Sequence, residues 1–333
     1  MKTVYNLFRT SELPNLMKTH MLKRLRRKSV CLVLLLMALG TGQAYAQTAA
    51  TGAATQQIST QPGPRRFLMW KVTSPTATVY LVGSVHVATP DMYPLPSAME
   101  SAFAASKVLT VEVNIKNIDT AQSTKLTQDS GTYGDGDSLS KHISKQTSDA
   151  LDGFCSKYGL PRESLEGVKP WLAALTTAVI AFQQAGEDFH MGVDEHFLNE
   201  VKPSQRIDEL ETADFQISIF SSATPQEQEE LLASSLKQVD NLKDWAQTLQ
   251  NAYVAGDDGK IEQMLEQQFE PRAFYKRLIE DRNTGMAERV EQYLKGKEQC
   301  FVVVGSGHLV GDKGMVKLLQ AKGYKVERIT PGN

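Results

Sequence analysis

Two segments far apart in the chain carry one pattern. Tyr80-Leu-Val-Gly83-Ser84-Val-His86 returns as Val302-Val-Val-Gly305-Ser306-Gly-His308. Each is a short apolar run of buried-strand type followed by Gly-Ser-x-His. A run of this kind suits a sheet covered on both faces. Glycine at its carboxyl end permits a sharp exit or a close backbone approach. Histidine is then presented at the sheet edge where open α/β sheets bind ligands. Strands that neighbour each other would bring the two imidazoles together, and imidazole is both the commonest side-chain metal ligand and a base near neutral pH. One Gly-x-x-His only caps a strand end. Two, each directly after a strand, define a site and require a sheet with partners from both ends of the chain.

The rest of the pattern agrees. Phe67–Val72 and Ala77–Val82, around Thr73-Ser-Pro-Thr76, predict a hairpin. Pro96–Ser106 predicts a helix with proline near its first turn, and Val108–Val113 a strand. Residues 116–140 are polar, with Gly131, Gly134 and Gly136, and predict a loop. From about 141 to 299 the pattern is mainly helical, over 145–158, 169–185, 194–201, 212–220, 225–254, 258–268, 272–281 and 284–296. Thr224-Pro225 and Asp257-Asp258 are start signals, and a strand at Gln205–Leu210 interrupts the helices. Cys300–Val304 is a continuous apolar strand, 312–322 a helix and Lys325–Ile329 a last strand. The expected fold class is α/β (α+β): a central mixed sheet built from N- and C-terminal segments, with a large helical insertion, in a single domain over 66–330.

Charge divides the chain unevenly. Of 36 Lys/Arg and 38 Asp/Glu, eight and one lie in residues 1–46, so residues 47–333 hold 28 and 37, a net charge of −9. An acidic body argues against nucleic acid as the main partner, while charge does not set the substrate class, peptide or small molecule. The basic excess has a local cause. Lys23, Arg24, Arg26, Arg27 and Lys28 precede the apolar run Val30–Leu39, and Ala44-x-Ala46 follows as a small-residue cleavage site. These are the parts of a secretory signal peptide. The expected location is periplasmic or secreted, after cleavage near Ala46, and the competing reading is an uncleaved anchor. Met21 opens a more ordinary signal peptide than Met1, which points to an over-extended start over residues 1–20. Residues 47–65, rich in Ala, Thr, Gln, Gly and Pro, read as a flexible leader. No second apolar stretch is long enough to span a membrane. An exported chain could join Cys155 to Cys300, but both sit in apolar patterns and read as unpaired core residues.

Glu112 is the next candidate. It lies within Val111-Glu112-Val113, and strand alternation sets it opposite its neighbours. A carboxylate in an apolar strand is costly unless paired or used. Either the strand is an edge with Glu112 in solvent, or Glu112 is a metal ligand or base beside the two histidines.

These residues resemble the TraB/GumN family, which shares its chemistry with the Tiki proteases. The resemblance is carried by Tyr80–Val87 with Pro94-Leu-Pro96, by Val111–Asn114, and by Gly192-Val-Asp194 with Leu210–Gln216. It continues in Asp281-Arg282-Asn283, Val303–Gly311 and Gly323–Val326. It covers roughly residues 66–330. It implies a Tiki- and erythromycin-esterase-like core and, by analogy with the Tiki proteases, metal-dependent peptide cleavage. The family's two histidines and acidic residue fall on His86, His308 and Glu112, and its arginine on Arg282. A divalent ion held by His86, Glu112 and His308 suits Zn, Mn or Co alike. Glu112 is then ligand or general base, and Arg282 stabilises an oxyanion. Related folds include a haem-binding lipoprotein, so scaffold is implied more strongly than reaction. Two alternatives stay open: a metal-independent His/Glu hydrolase of esterase type, and a non-enzymatic envelope protein that binds haem, metal or peptide.

Other residues carry weaker signals. Asp194 opens a helix, where a carboxylate caps the N-terminus or joins the site as a further ligand. His190 and His196 flank it without a standard ligand spacing. His142 lies in a polar stretch, Trp171 starts a helix and fills core, and Glu211 caps a helix or faces the cleft. Neither Gly-Ser pair of the mature chain forms a Gly-x-Ser-x-Gly elbow, which disfavours a serine hydrolase.

Overall fold

The computed structural model describes residues 65–330 apart from Val87, Asp188 and residues 269–271. The expected signal peptide and residues 47–64 of the expected leader lie outside the described residues.

Strands β1 (Met69–Thr73) and β2 (Thr78–Ser84) form the antiparallel hairpin, with Thr73 opposite Thr78. Helix α1 (Ser97–Ala105) leads into β3 (Val108–Val111). Then come α2 (Thr120–Gly131), α3 (Lys145–Tyr158), α4 (Pro170–Ala185) and α5 (Val193–Asn199). Strand β4 (Arg206–Glu209) precedes α6 (Ala213–Ser221), α7 (Pro225–Gln238), α8 (Leu242–Ala255) and α9 (Asp258–Gln268). Helix α10 (Arg272–Tyr275) runs through a π turn, Lys276–Glu280, into α11 (Asp281–Leu294). Strand β5 (Gln299–Gly305), α12 (Met315–Ala321) and β6 (Lys325–Arg328) close the chain.

One mixed sheet has the order β4-β3-β5-β2-β1-β6. Strands β4, β3, β5 and β2 run parallel, and β1 is antiparallel to both β2 and β6. The fold is therefore α+β with a helical insertion. The late strand β5 lies between the two early strands β2 and β3. Its apolar run, Cys300–Val304, is buried throughout, which is why it lacks polar alternation. Among the described residues no helix is long and apolar enough to cross a membrane.

Local chemistry explains the helical layer. Thr224 and Glu227 form a capping box at α7, behind Pro225 in the first turn. Ser144 caps α3, which ends on Gly159 in the left-handed region. Helix α4 is apolar nearly all round because it runs through the middle of the insertion. Trp171, Ala173 and Thr177 on it are fully buried, and Thr177 meets Ser235 of α7. Cys155 and Cys300 are both free and buried.

The structure corrects four sequence expectations. The polar stretch 116–140 is not all loop. Asp119 caps α2 there by accepting from the Gln122 N–H. The inward face of α2 is Ser123, Thr127 and Gly131, which gives no apolar period. A Cβ on Gly131 would come within 2.8 Å of Trp171 and Leu172, so this face must stay small. The helix expected over 225–254 breaks between Gln238 and Leu242. Conversely, the π turn joins the expected helices 272–281 and 284–296. Finally, β3 stops at Val111 and is an interior strand, so Glu112 stands just past a strand end rather than within an edge strand.

Candidate active site

Three parallel neighbours deliver the site. Ser84 of β2 is in register with Gly305 of β5, and Val303 of β5 with Val111 of β3. Their carboxyl ends therefore coincide, and His86, His308 and Glu112 all follow there. Gly83 must lack a side chain: a Cβ would sit 2.9 Å from Ser306 Oγ and 3.0 Å from Leu68 Cβ. Ser306 Oγ donates to Ser84 O at 2.8 Å, and Tyr253 OH to Gly83 O at 2.7 Å. The two strand exits are thus tied together beneath the histidines.

Each imidazole is held by its Nδ1. The start of α5 comes up against the β2 exit, where the Val193 N–H donates to Val85 O. Gly192 allows this, because a Cβ there would lie 3.0 Å from both His86 O and Asp194 Oδ1. Asp194 Oδ1 then accepts from His86 Nδ1 at 3.0 Å and from Ser84 Oγ at 2.6 Å. A carboxylate oxygen only accepts, so His86 carries a proton on Nδ1, and its Nε2 is bare when the ring is neutral. The N-cap position of α5 is Gly192, so Asp194 stands in the first turn and is not the cap residue. His308 Nδ1 meets Asn283 Oδ1 at 2.6 Å.

Glu112 sits between these groups. Its Oε1 accepts from the Gly305 N–H at 2.7 Å and lies 3.7 Å from His308 Nε2. Its Oε2 accepts from Arg282 Nη2 at 2.7 Å and from Gln216 Nε2 at 3.2 Å. Arg282 also grips Glu211 through Nε and Nη2, and its Nη1 donates to Leu278 O of the π turn at 2.8 Å. The guanidinium is 4 % exposed, so its first task here is to bridge two carboxylates. Arg282 and Asn283 head the buried face of α11, which continues through Met286, Ala287, Val290 and Leu294.

Burial and neighbours set the protonation states. Burial presses the His308 pKa down, and Arg282 beside it adds to the effect, to about 3 despite Glu112. His308 is therefore neutral at pH 7. Burial also opposes charge on His86, but the Asp194 carboxylate and its hydrogen bond outweigh it and raise the pKa. Burial works against a charged Glu112 as well; the His308, Arg282 and His86 rings and guanidinium and the Gly305 N–H overcome it and hold the carboxyl well below its usual range. Partial burial works against a charged Asp194 too, yet His86 and Ser84 lower its pKa.

Three carboxylates, Glu112, Glu211 and Asp194, thus meet one guanidinium and at most one imidazolium in a buried space. That leaves negative charge in excess, which is costly away from water unless a cation balances it. Among the described residues no three His, Cys, Asp or Glu side chains form a closed ligand set. In kind, however, two imidazoles each held through Nδ1, a carboxylate and a negative excess fit a divalent ion.

The other histidines among the described residues lie elsewhere. His190 pairs with Glu195 at an exposed position, and His196 with Glu100. His142 pairs with Asp137 and stacks on Tyr133. Trp171 is core. Residue-level reasoning gave no part to Ser84, Gln216, Tyr253 or Asn283. The available signals were that Ser84 lies in the echoed Gly-Ser-x-His motif, that Gln216 ends the Leu210–Gln216 stretch and that Asn283 adjoins Arg282 in the Asp-Arg-Asn stretch.

A buried imidazole–carboxylate–guanidinium centre at the carboxyl edge of a mixed sheet is thus the class that fold and site define. The chain belongs to the TraB/PrgY/gumN family, whose model matches residues 68–328. No curated protein and no solved structure matches it.

Proposed function

We propose that the chain is an exported metal-dependent hydrolase acting on peptides. The observation that supports it most is the paired anchoring of the imidazoles: each Nδ1 is tied to a side-chain oxygen, the arrangement that metal-ligating histidines use. Zinc, manganese or cobalt would be held by His86 Nε2, His308 Nε2 and Glu112, and when bound supplies Lewis acidity toward a carbonyl and toward water. Asp194 holds the His86 ring in place, while Arg282 and the Gly305 N–H fix the Glu112 carboxylate. Glu112 serves as ligand or as the base that takes a proton from water. Arg282 lends positive charge to an oxyanion that forms beside Glu112. The strand ends and helix α11 bury these groups and keep bulk water from them.

A second reading has its own support in the Asp194–His86 pair. A carboxylate behind an imidazole makes a general base that needs no ion, with Glu112 orienting the water. Purified protein, peptide libraries and a chelator separate the two. Activity should vanish with chelator and return with Zn, Mn or Co. Activity indifferent to both treatments supports the metal-free reading, and tight peptide or haem capture without turnover means a binding protein.

Export rests on the basic cluster, the apolar run Val30–Leu39 and Ala44-x-Ala46. Mass spectrometry of the exported form should read an N-terminus at about Gln47. A full-length N-terminus in the envelope would instead mean an anchor.

A further inference from the structure

We infer that Asn283 is a positioning residue: with the backbone carbonyl of Lys313 behind it, it sets which ring nitrogen of His308 faces the site. Asn283 is 1 % exposed, so both ends of its amide need partners inside the protein. Its Nδ2 lies 2.9 Å from Lys313 O, an atom that only accepts. Nδ2 therefore points at Lys313 and Oδ1 at His308. A flipped amide would set two oxygens against each other and lose the donation. With Oδ1 as the neighbour at 2.6 Å, His308 must donate from Nδ1. Its Nε2 is left bare, on the side of Glu112 Oε1. A fixed carbonyl thus determines, through two hydrogen bonds, which face of an imidazole accepts.

The two halves of the echoed motif reach the same tautomer by different means. His86 uses the carboxylate of Asp194, and His308 uses a neutral amide. The neighbourhood explains the difference. A carboxylate at 283 would stand next to Arg282 but would add a fourth negative charge to a centre that already holds Glu112, Glu211 and Asp194. It would also face the Lys313 carbonyl with no proton to offer.

This role deepens the hydrolase proposal and rests on it for its consequence, since the bare Nε2 is the atom that would work. The test does not depend on activity. The full chain, labelled with 15N-histidine, is studied by long-range 1H–15N spectra without added metal, and the His308 signals are assigned by their loss in His308→Gln. Wild-type His308 should appear as a neutral ring protonated on Nδ1. In Asn283→Leu a form protonated on Nε2 should appear, and turnover should fall about 10–100-fold. An Nε2-protonated His308 in the wild type, or an Asn283→Leu ring still wholly Nδ1-protonated, would overturn the inference. Should Asn283→Leu fail to fold, the wild-type spectrum decides alone. The expected spectra with no hydrolysis of any peptide would uphold the positioning role and overturn the hydrolase reading instead.

Discussion

Alanine in place of His86 or His308 should remove nearly all turnover, by about 10²–10⁴-fold, with most of the affinity for a divalent ion. Either substitution takes away a nitrogen that the fold has prepared from behind, through Asp194 or through Asn283. Removing both should cost little more than removing one, because groups that act as a unit are not additive. His142→Ala and His190→Ala should stay near wild type, since both rings pair with carboxylates away from the site. Steady-state kinetics and ion titration by calorimetry read all five variants. If His190→Ala abolished ion binding while His308→Ala did not, the site would move to the insertion around His190, Asp194 and His196, and the strand echo would be structural only.

Arg282→Met should be the most destabilising of the site substitutions, by about 3–5 kcal/mol in urea denaturation. The guanidinium is buried between Glu112 and Glu211, and its loss strands two carboxylates away from water. Glutamine at both acidic positions together with Arg282→Met should recover much of that stability and remain inactive. That combination tells a missing charge balance from a missing side-chain volume. Arg282→Lys should keep ion affinity but lose turnover, because an ammonium cannot span two carboxylates as a planar fork does. The sign with pH follows from Glu112. Its folded pKa lies below its unfolded one, so the stability it contributes is present above the ordinary carboxylate range and is lost as pH falls toward the folded value. The acid limb of the stability curve should therefore flatten in the triple variant.

The sheet was legible in the sequence because apolar runs and glycine exits are strong local signals. Two such runs ending in Gly-Ser-x-His sufficed to pair β2 with β5. Glu112 stood out because its charge conflicts with Val111 and Val113. Arg282 stood out only through the family resemblance and Asn283 was given no role, since polar residues at a helix start normally face solvent. A π turn ahead of them sets that part of α11 toward the sheet end, and a period of 3.6 does not report such an offset. Asp194 was ambiguous for a related reason: a carboxylate near a helix start caps it by default, and only the close approach allowed by Gly192 turns it to His86. Helix α2 was missed because it buries serine, threonine and glycine where an amphipathic helix would bury leucine.

The place of β5 bears on how the molecule assembles. Two pieces of sheet can be paired without β5, the β1–β2 hairpin and the β3–β4 pair, and each ends in an open edge. Nothing joins them until residues 299–305 enter between β2 and β3. Contacts of such long sequence separation form slowly, and the open edges can meanwhile pair with other chains. His86 rides on one piece, Glu112 on the other, and His308 on the strand that unites them. The site is therefore complete only when β5 is in place, and a chain cut short of β5 should lack it and be prone to aggregate.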